Sequence, residues 1–338
     1  MLDKREMRSE ALDLLRFPLA IVIVVVHALP LGSNVMDDFV MAFLKEQSVP
    51  IYYFISGYVF FFGIELTKVV YVKKIRNRIK TLFIPYLIWN LLFFAYNSIN
   101  ASIFRLEDFF KSFWCIYTDL SNKTYPVNYP LWFLRDLMIA VLCTPLINWS
   151  IKKFRYFYLI PIGVVWLSAN LYNYGRIAQL ASAFFFFSFG AYMSINKKDI
   201  IYEFGKYSKL STFLFIFLGC CYLGFVRILP DVAYAIMFAR VLVGLVFAYN
   251  ISVFLLRRGQ CNVNKFLAQS SFFIYLSHVW FLERISRLIF RLIDTNSTFL
   301  VIVGHIMTIV VTILVLLLLY LCGKRFVPTL FKVMIGGR

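Results

Sequence analysis

Asp13, Arg16 and His27 stand in "LDLLRFPLAIVIVVVHAL", residues 12–29, a run otherwise built almost wholly of aliphatic side chains. On an α-helix the spacing of Arg16 and His27 places them within about 20° of one face and about 16 Å apart along the axis. Asp13, three positions before Arg16, falls on the same stripe. An acid, a guanidinium and an imidazole in file can hold and move a proton, and an imidazole that ordinarily titrates near neutral pH suits general base work. Burying a guanidinium in hydrocarbon costs at least about 2.5–3.5 kcal/mol, so such a group faces a bundle interior or water. Pairing with Asp13 accounts for Arg16. It leaves His27 open between a hydrogen-bonded packing residue and a base. Pro18 lies between the two and can bend the helix there.

The elements that must position these groups are membrane helices. The chain has 338 residues, 61% of them hydrophobic, 19% aromatic and only 15% charged, which excludes an ordinary soluble domain. Apolar runs close to the spanning length recur throughout and predict about ten transmembrane helices, near 12–30, 49–66, 81–100, 130–149, 156–174, 177–195, 210–227, 232–255, 266–283 and 298–322. The expected fold class is an all-α polytopic membrane protein, with residues 1–338 forming one transmembrane domain. The opening "MLDKREMRSE" mixes both signs of charge, and no small-residue cleavage site follows the first apolar run. That predicts a retained first helix.

The net charge of +18 raises the question of nucleic acid, and the position of the charges answers it. With the N-terminus cytoplasmic, 23 of the 35 Lys and Arg fall in inner segments, 9 in outer loops and 3 inside spans. This positive-inside pattern places both termini in the cytoplasm and explains the basic excess as topology and anionic-lipid contact, with no nucleic-acid partner. Arg284, Arg287 and Arg291, in the outer loop near 284–297, are the exception, either snorkelling at the interface or attracting an anion. Six scattered cysteines, of which only Cys115 lies in an outer loop, show neither metal-ligand nor disulfide spacing.

Further ionisable groups lie inside spans: Arg135 and Asp136 in "PLWFLRDLMIAV", Arg240 in "MFARVLVGL", His278 and Glu283 in "FFIYLSHVWFLER", and His305. Arg135–Asp136 reads as a pair near an outer interface. Arg240, deep in its span, reads as functional or paired, and His305 as structural. The outer loop 101–129 holds a helical pattern in "LEDFFKSFW". Trp114, Tyr117, Tyr125, Tyr129 and the nearby Trp132 there suit either an interfacial belt or sugar stacking. The inner segment "TKVVYVKKIRNRIK" carries six positive charges and no acid. It is either an orientation signal or a phosphate-binding mouth, in which guanidinium groups such as Arg76 and Arg78 clamp phosphate oxygens.

In this setting the sequence resembles the integral-membrane acyltransferase family 3, O-acyltransferases that modify bacterial surface sugars. "LDLLRFPLAIVIVVVH" is similar to the family's first helix, with its Arg and His separated by ten residues. "VPIYYFISGYVF" resembles a second segment ending in Ser-Gly, here Ser56–Gly57. "VKKIRNRIKTLFIPYLIW" resembles a basic loop leading to a helix-opening Pro, here Pro85. "PLWFLRDLM" resembles a Trp-x-Leu segment, and "SFFIYLSHVWFL" a late Tyr-Leu-x-His signature.

The resemblance implies a ten-helix core in the bacterial inner membrane that moves a short acyl group, acetyl first among them, from cytoplasmic acyl-CoA to a hydroxyl of a cell-surface or lipid-linked glycan. It implies His27 as base with Arg16 and Asp13 as its partners, and Lys74, Arg76 and Arg78 on the CoA phosphates. Ser56, Trp132, Arg135, Arg240 and His278 are candidate acceptor contacts. No metal and no tightly bound cofactor is expected. The sequence departs from some members in lacking a soluble hydrolase-like extension, which leaves acceptor choice to the membrane domain and loop 101–129. Two variants stay open. One is a polysaccharide or lipid-linked sugar exporter that does not consume thioester; the other keeps the fold with succinyl transfer or an amine acceptor.

Overall fold

A computed structural model describes residues 4–101 and 125–337. Every regular element among the described residues is helical. That is the expected outcome for an apolar chain, because in lipid the backbone must meet its own hydrogen-bonding needs. Six described helices are long and apolar enough to cross a membrane, at 68–99, 144–171, 175–195, 208–225, 230–257 and 298–326. The chain is a multi-pass integral membrane protein.

The helices form two compact units. The first, residues 1–49 and 199–322, holds α1 (Lys4–His27), α2 (Asn34–Phe43), α10 (Ile200–Gly205), α11 (Ser208–Phe225), α12 (Pro230–Arg257), α13 (Lys265–Phe290) and most of α14 (Thr298–Phe326). In it α1 packs against α12 and α13, α11 lies along α12, and α2 packs on α11. Local chemistry sets the starts of these helices. Asp199 accepts hydrogen bonds from the amides of Ile201 and Tyr202, Asn264 accepts from Phe266 and Leu267, and Pro230 opens α12.

The second unit, residues 50–198 and 323–338, holds α3 (Ser48–Phe61, beginning two residues before the boundary), α4 (Lys68–Arg78), a π-helical turn (Ile79–Phe83) and α5 (Ile84–Ala101). It continues with α6 (Trp132–Leu142), α7 (Thr144–Phe154), α8 (Leu159–Leu171), α9 (Gly175–Ile195) and α15 (Pro328–Met334). A close crossing lies between α3 and α9. A Cβ on Gly57 would stand 2.0 Å from the Phe187 carbonyl oxygen, and one on Gly190 would stand 2.0 Å from that of Phe54. Two backbones meet here because both helices lack a side chain at the contact. Gly57→Leu is expected to force the helices apart and destabilise this unit by about 3 kcal/mol or more. The check is a fall in the detergent unfolding midpoint; an unchanged midpoint would contradict the crossing.

Several predicted spans shift. The span predicted at 130–149 divides at Cys143 into α6 and α7, and α3 is only 14 residues long. The stretch 31–48, expected to be an outer loop, contains the helix α2. Within loop 101–129, the "LEDFFKSFW" pattern, Trp114, Cys115 and Tyr117 lie outside the described residues. Tyr125 and Tyr129, which are described, meet edge-to-face at 6.5 Å and are exposed.

Candidate active site

The two helices that bring chemistry together in the first unit are among its less lipid-like ones. Glu10, Asp13 and Arg16 interrupt the apolar face of α1, and Gln269, Ser270, Ser271, Ser277 and His278 interrupt that of α13. Neither helix is among the six spans defined by length and composition. Polar groups of this kind are retained where they face protein or water.

At the C-terminal end of α1, His27 meets His278 from the middle of α13, with ring centroids 4.9 Å apart and planes at 67°. Each ring is fixed through its Nδ1 to a carbonyl of its own helix. His27 Nδ1 lies 2.7 Å from the Ile23 oxygen, and His278 Nδ1 lies 2.9 Å from the Tyr275 oxygen and 3.2 Å from that of Ile274. A carbonyl can only accept, so the proton of each neutral ring sits on Nδ1 and the basic lone pair on Nε2. His278 is fully buried, and its Nε2 has no hydrogen-bond partner among the described residues. Two imidazoles locked in one tautomer and set against each other can accept a proton and hold it away from bulk solvent.

Arg16 donates to Asp13 at 2.9 Å, one turn away on a half-exposed face. The helix is continuous through Pro18, so its Cα remains about 16 Å along the axis from that of His27. The expected stripe exists, and on it Arg16 pairs with the acid. The Glu46 charge acts on both His27 and Arg240.

Arg240 is fully enclosed on α12, and its role is visible. Nη1 donates to the Phe43 carbonyl and Nη2 to that of Lys45, each at 2.9 Å, so the guanidinium caps the C-terminal end of α2. The start of α2 is tied to Arg227, which donates to Asp38 Oδ2 at 2.7 Å just beyond the end of α11. Its far end, Phe43, fills the space over Gly219 and stands 6.1 Å from the Phe215 ring. Those α11 residues lie about 9 and 15 Å in from Phe225, so α2 dips into the unit and stops part-way through it. Irregular backbone at such depth is tolerated only when protein satisfies it. Arg240 does so.

In the second unit, Asp136 receives two guanidinium groups. Arg176 Nη1 and Nη2 bind its two oxygens at 2.6 Å each, and Arg135 Nε binds Oδ1 at 3.1 Å. Arg176 also donates to Gln179 at 3.2 Å. All three charged residues are buried, so the Arg135–Asp136 pair read from sequence as interfacial is enclosed. It belongs to a network with Arg176, in the first turn of α9, which no spacing in the sequence signals. Trp132 opens α6 and is half-buried, as is Ser56 on α3.

Of the basic run, Lys74 Nζ donates to the Phe60 carbonyl at 2.7 Å and lies 5.1 Å from the Phe60 ring, with the Arg78 guanidinium 6.0 Å from the same ring. Lys74 and Arg78 are one turn apart and share a face of α4. Arg76 is exposed and points elsewhere, because residues two apart on a helix diverge. The structure therefore groups Lys74 with Arg78, and does not set Arg76 and Arg78 as a clamp. Near the α2 start, His305 packs on Phe290 at 4.7 Å. Among the described residues there is no cluster of potential metal ligands.

Comparison with known proteins agrees with the motif reading. The family described as "Acyltransferase domain" matches residues 9–321, and the chain belongs to that family. The matched region contains both histidines, Arg240 and the whole basic run. The succinoglycan biosynthesis protein ExoH of Rhizobium meliloti (strain 1021) is similar, with 30% identity over 181 residues, 50% of this chain and 48% of the relative. The chain thus spans about half the length of the curated relative it matches. No solved structure matches.

Proposed function

We propose that this acyltransferase moves a short acyl group from acyl-CoA on the cytoplasmic side of the inner membrane to a hydroxyl of a surface or lipid-linked glycan. The observation that carries the reading is the His27–His278 pair, with both rings held by Nδ1 and both lone pairs on Nε2. His27 Nε2 removes the proton of the acceptor hydroxyl as that oxygen attacks the thioester carbonyl. The C–O bond forms, the C–S bond breaks, and the imidazolium returns its proton to the departing thiolate, releasing free CoA. His278 lies beside the ring that gains the charge, and Arg16 with Asp13 forms the charged stripe behind it. Acetyl and succinyl are both within the reading; the relative's part in succinoglycan biosynthesis supports a saccharide acceptor.

The donor's phosphates are assigned to Lys74 and Arg78, with Arg76 as an outlying contact. Charge-assisted bonds to phosphate are strong enough for their loss to register. In calorimetry on the detergent-purified protein, the Lys74→Ala/Arg78→Ala double variant is expected to bind acetyl-CoA and succinyl-CoA about 10- to 100-fold more weakly than wild type. Unchanged affinity would remove the basic run from donor binding. A folded wild type that binds neither thioester would instead favour sugar export without acyl transfer.

A further inference from the structure

The break between α2 and α3 holds a buried carboxamide with nothing to bind. Gln47 is 6% exposed, and neither Nε2 nor Oε1 has a hydrogen-bond partner among the described residues. The amide lies over Gly244 of α12, where a Cβ would come within 2.0 Å of Oε1 and 3.0 Å of Nε2. Only a glycine leaves room for it there. One turn away on α12, Arg240 spends both Nη groups on the Phe43 and Lys45 carbonyls at the end of α2, while its Nε has no partner among the described residues. The backbone is strained beside it, since Glu46 occupies the left-handed region at φ 62°. Ser48, on the other side, anchors the segment by donating to the Leu19 carbonyl of α1 at 3.1 Å.

Depth links this break to the histidines. Arg240 lies about 15 Å from the Pro230 end of α12, and His278 about 18 Å from the Phe290 end of α13. Both ends lie on the same side of the unit. Arg227, between α11 and α12, binds Asp38, and Gly32, just before α2, abuts Val301 near the start of α14. Gln47, over Gly244 about 21 Å from the Pro230 end and next to Ser48, which is bonded to Leu19, therefore lies within about two helical turns of the His27–His278 pair along the first unit. Burying both ends of an amide without partners is costly, and a residue needed only for packing at this site would be apolar. The cost is offset when a ligand supplies an acceptor and a donor side by side.

We propose that Gln47 is an acceptor-binding, specificity-determining residue whose amide reads a pair of neighbouring hydroxyls on a saccharide. One hydroxyl accepts from Nε2–H and its neighbour donates to Oε1. The proposal rests on the glycan acyltransferase reading for the reaction but not for the binding itself.

The test uses the full chain in proteoliposomes, with methyl β-D-glucopyranoside and methyl β-D-galactopyranoside as probes. Glycoside binding is followed by saturation-transfer NMR, transfer by label from acetyl-CoA and succinyl-CoA, and stability by the unfolding midpoint. Gln47→Met, similar in size but without the amide, is expected to raise the midpoint by a few degrees. It should also weaken glycoside binding about tenfold or more, and raise the glycoside KM while leaving the acyl-CoA KM unchanged. Gln47→Glu, which keeps the size and the acceptor but loses the donor, should show the same loss of glycoside binding. Glycoside binding by either folded variant equal to wild type overturns the subsite while leaving the transfer reading intact, and so does a wild type that binds neither glycoside. Binding that is present in wild type and lost in both variants, without any transfer by wild type, supports the subsite and overturns the transfer reading.

Discussion

His27→Ala lowers acyl transfer by about 10²- to 10⁴-fold while the protein still inserts and folds, the range expected for loss of a positioned base. The ring is half-buried at the last position of α1, and its Nδ1 bonds to the Ile23 carbonyl of its own helix. A separate readout distinguishes base from packing residue. His27→Gln offers an amide in place of imidazole, so a packing role predicts recovery and a base role predicts none. Recovery of wild-type turnover by His27→Gln would remove the imidazole from the mechanism. His278→Ala is the natural companion variant, since the two rings meet at 4.9 Å.

Asp136→Leu is the second large effect, and it appears in stability. The carboxylate is fully buried between Arg176 and Arg135, with both Arg176 contacts at 2.6 Å. Removing it leaves two guanidinium groups enclosed without their shared acid. Breaking a buried ion pair from one side costs about 3–5 kcal/mol. The unfolding midpoint in detergent should fall accordingly. Replacing the pair together, Asp136→Leu with Arg176→Met, should recover part of the loss, because the Arg176 charge is then no longer buried without its acid while Arg135 still is. An Asp136→Leu protein as stable as wild type would show that the network carries no structural weight.

Much of this molecule is legible in its sequence, for reasons that differ by element. The helices announce themselves through long apolar runs, and the α1 charges are visible because lipid makes every such residue expensive. Arg240 stands out for the same reason. What it does is not legible, since its partners are the carbonyls of α2, and α2 is a ten-residue helix carrying Asp37 and Asp38 that falls below the length of a span. His27 and His278 can each be picked out, but their meeting joins helices far apart in the chain, and no periodicity encodes that. Arg176 and Gln47 are hidden because each sits at a helix edge, where a polar residue is unremarkable until its burial is known. The pairing of Lys74 with Arg78 was the reverse case. Helical spacing alone sets it, and Arg76 falls off that face.

The most direct measurement is acyl-CoA turnover by the purified wild-type protein in proteoliposomes supplied with methyl β-D-glucopyranoside. Free thiol and glycoside-bound label from acetyl-CoA or succinyl-CoA are counted together. The account predicts thiol release matched one for one by ester formation on the sugar, with both lost in His27→Ala. Intact thioester in the presence of folded wild type, or release and ester formation undiminished in His27→Ala, would contradict it.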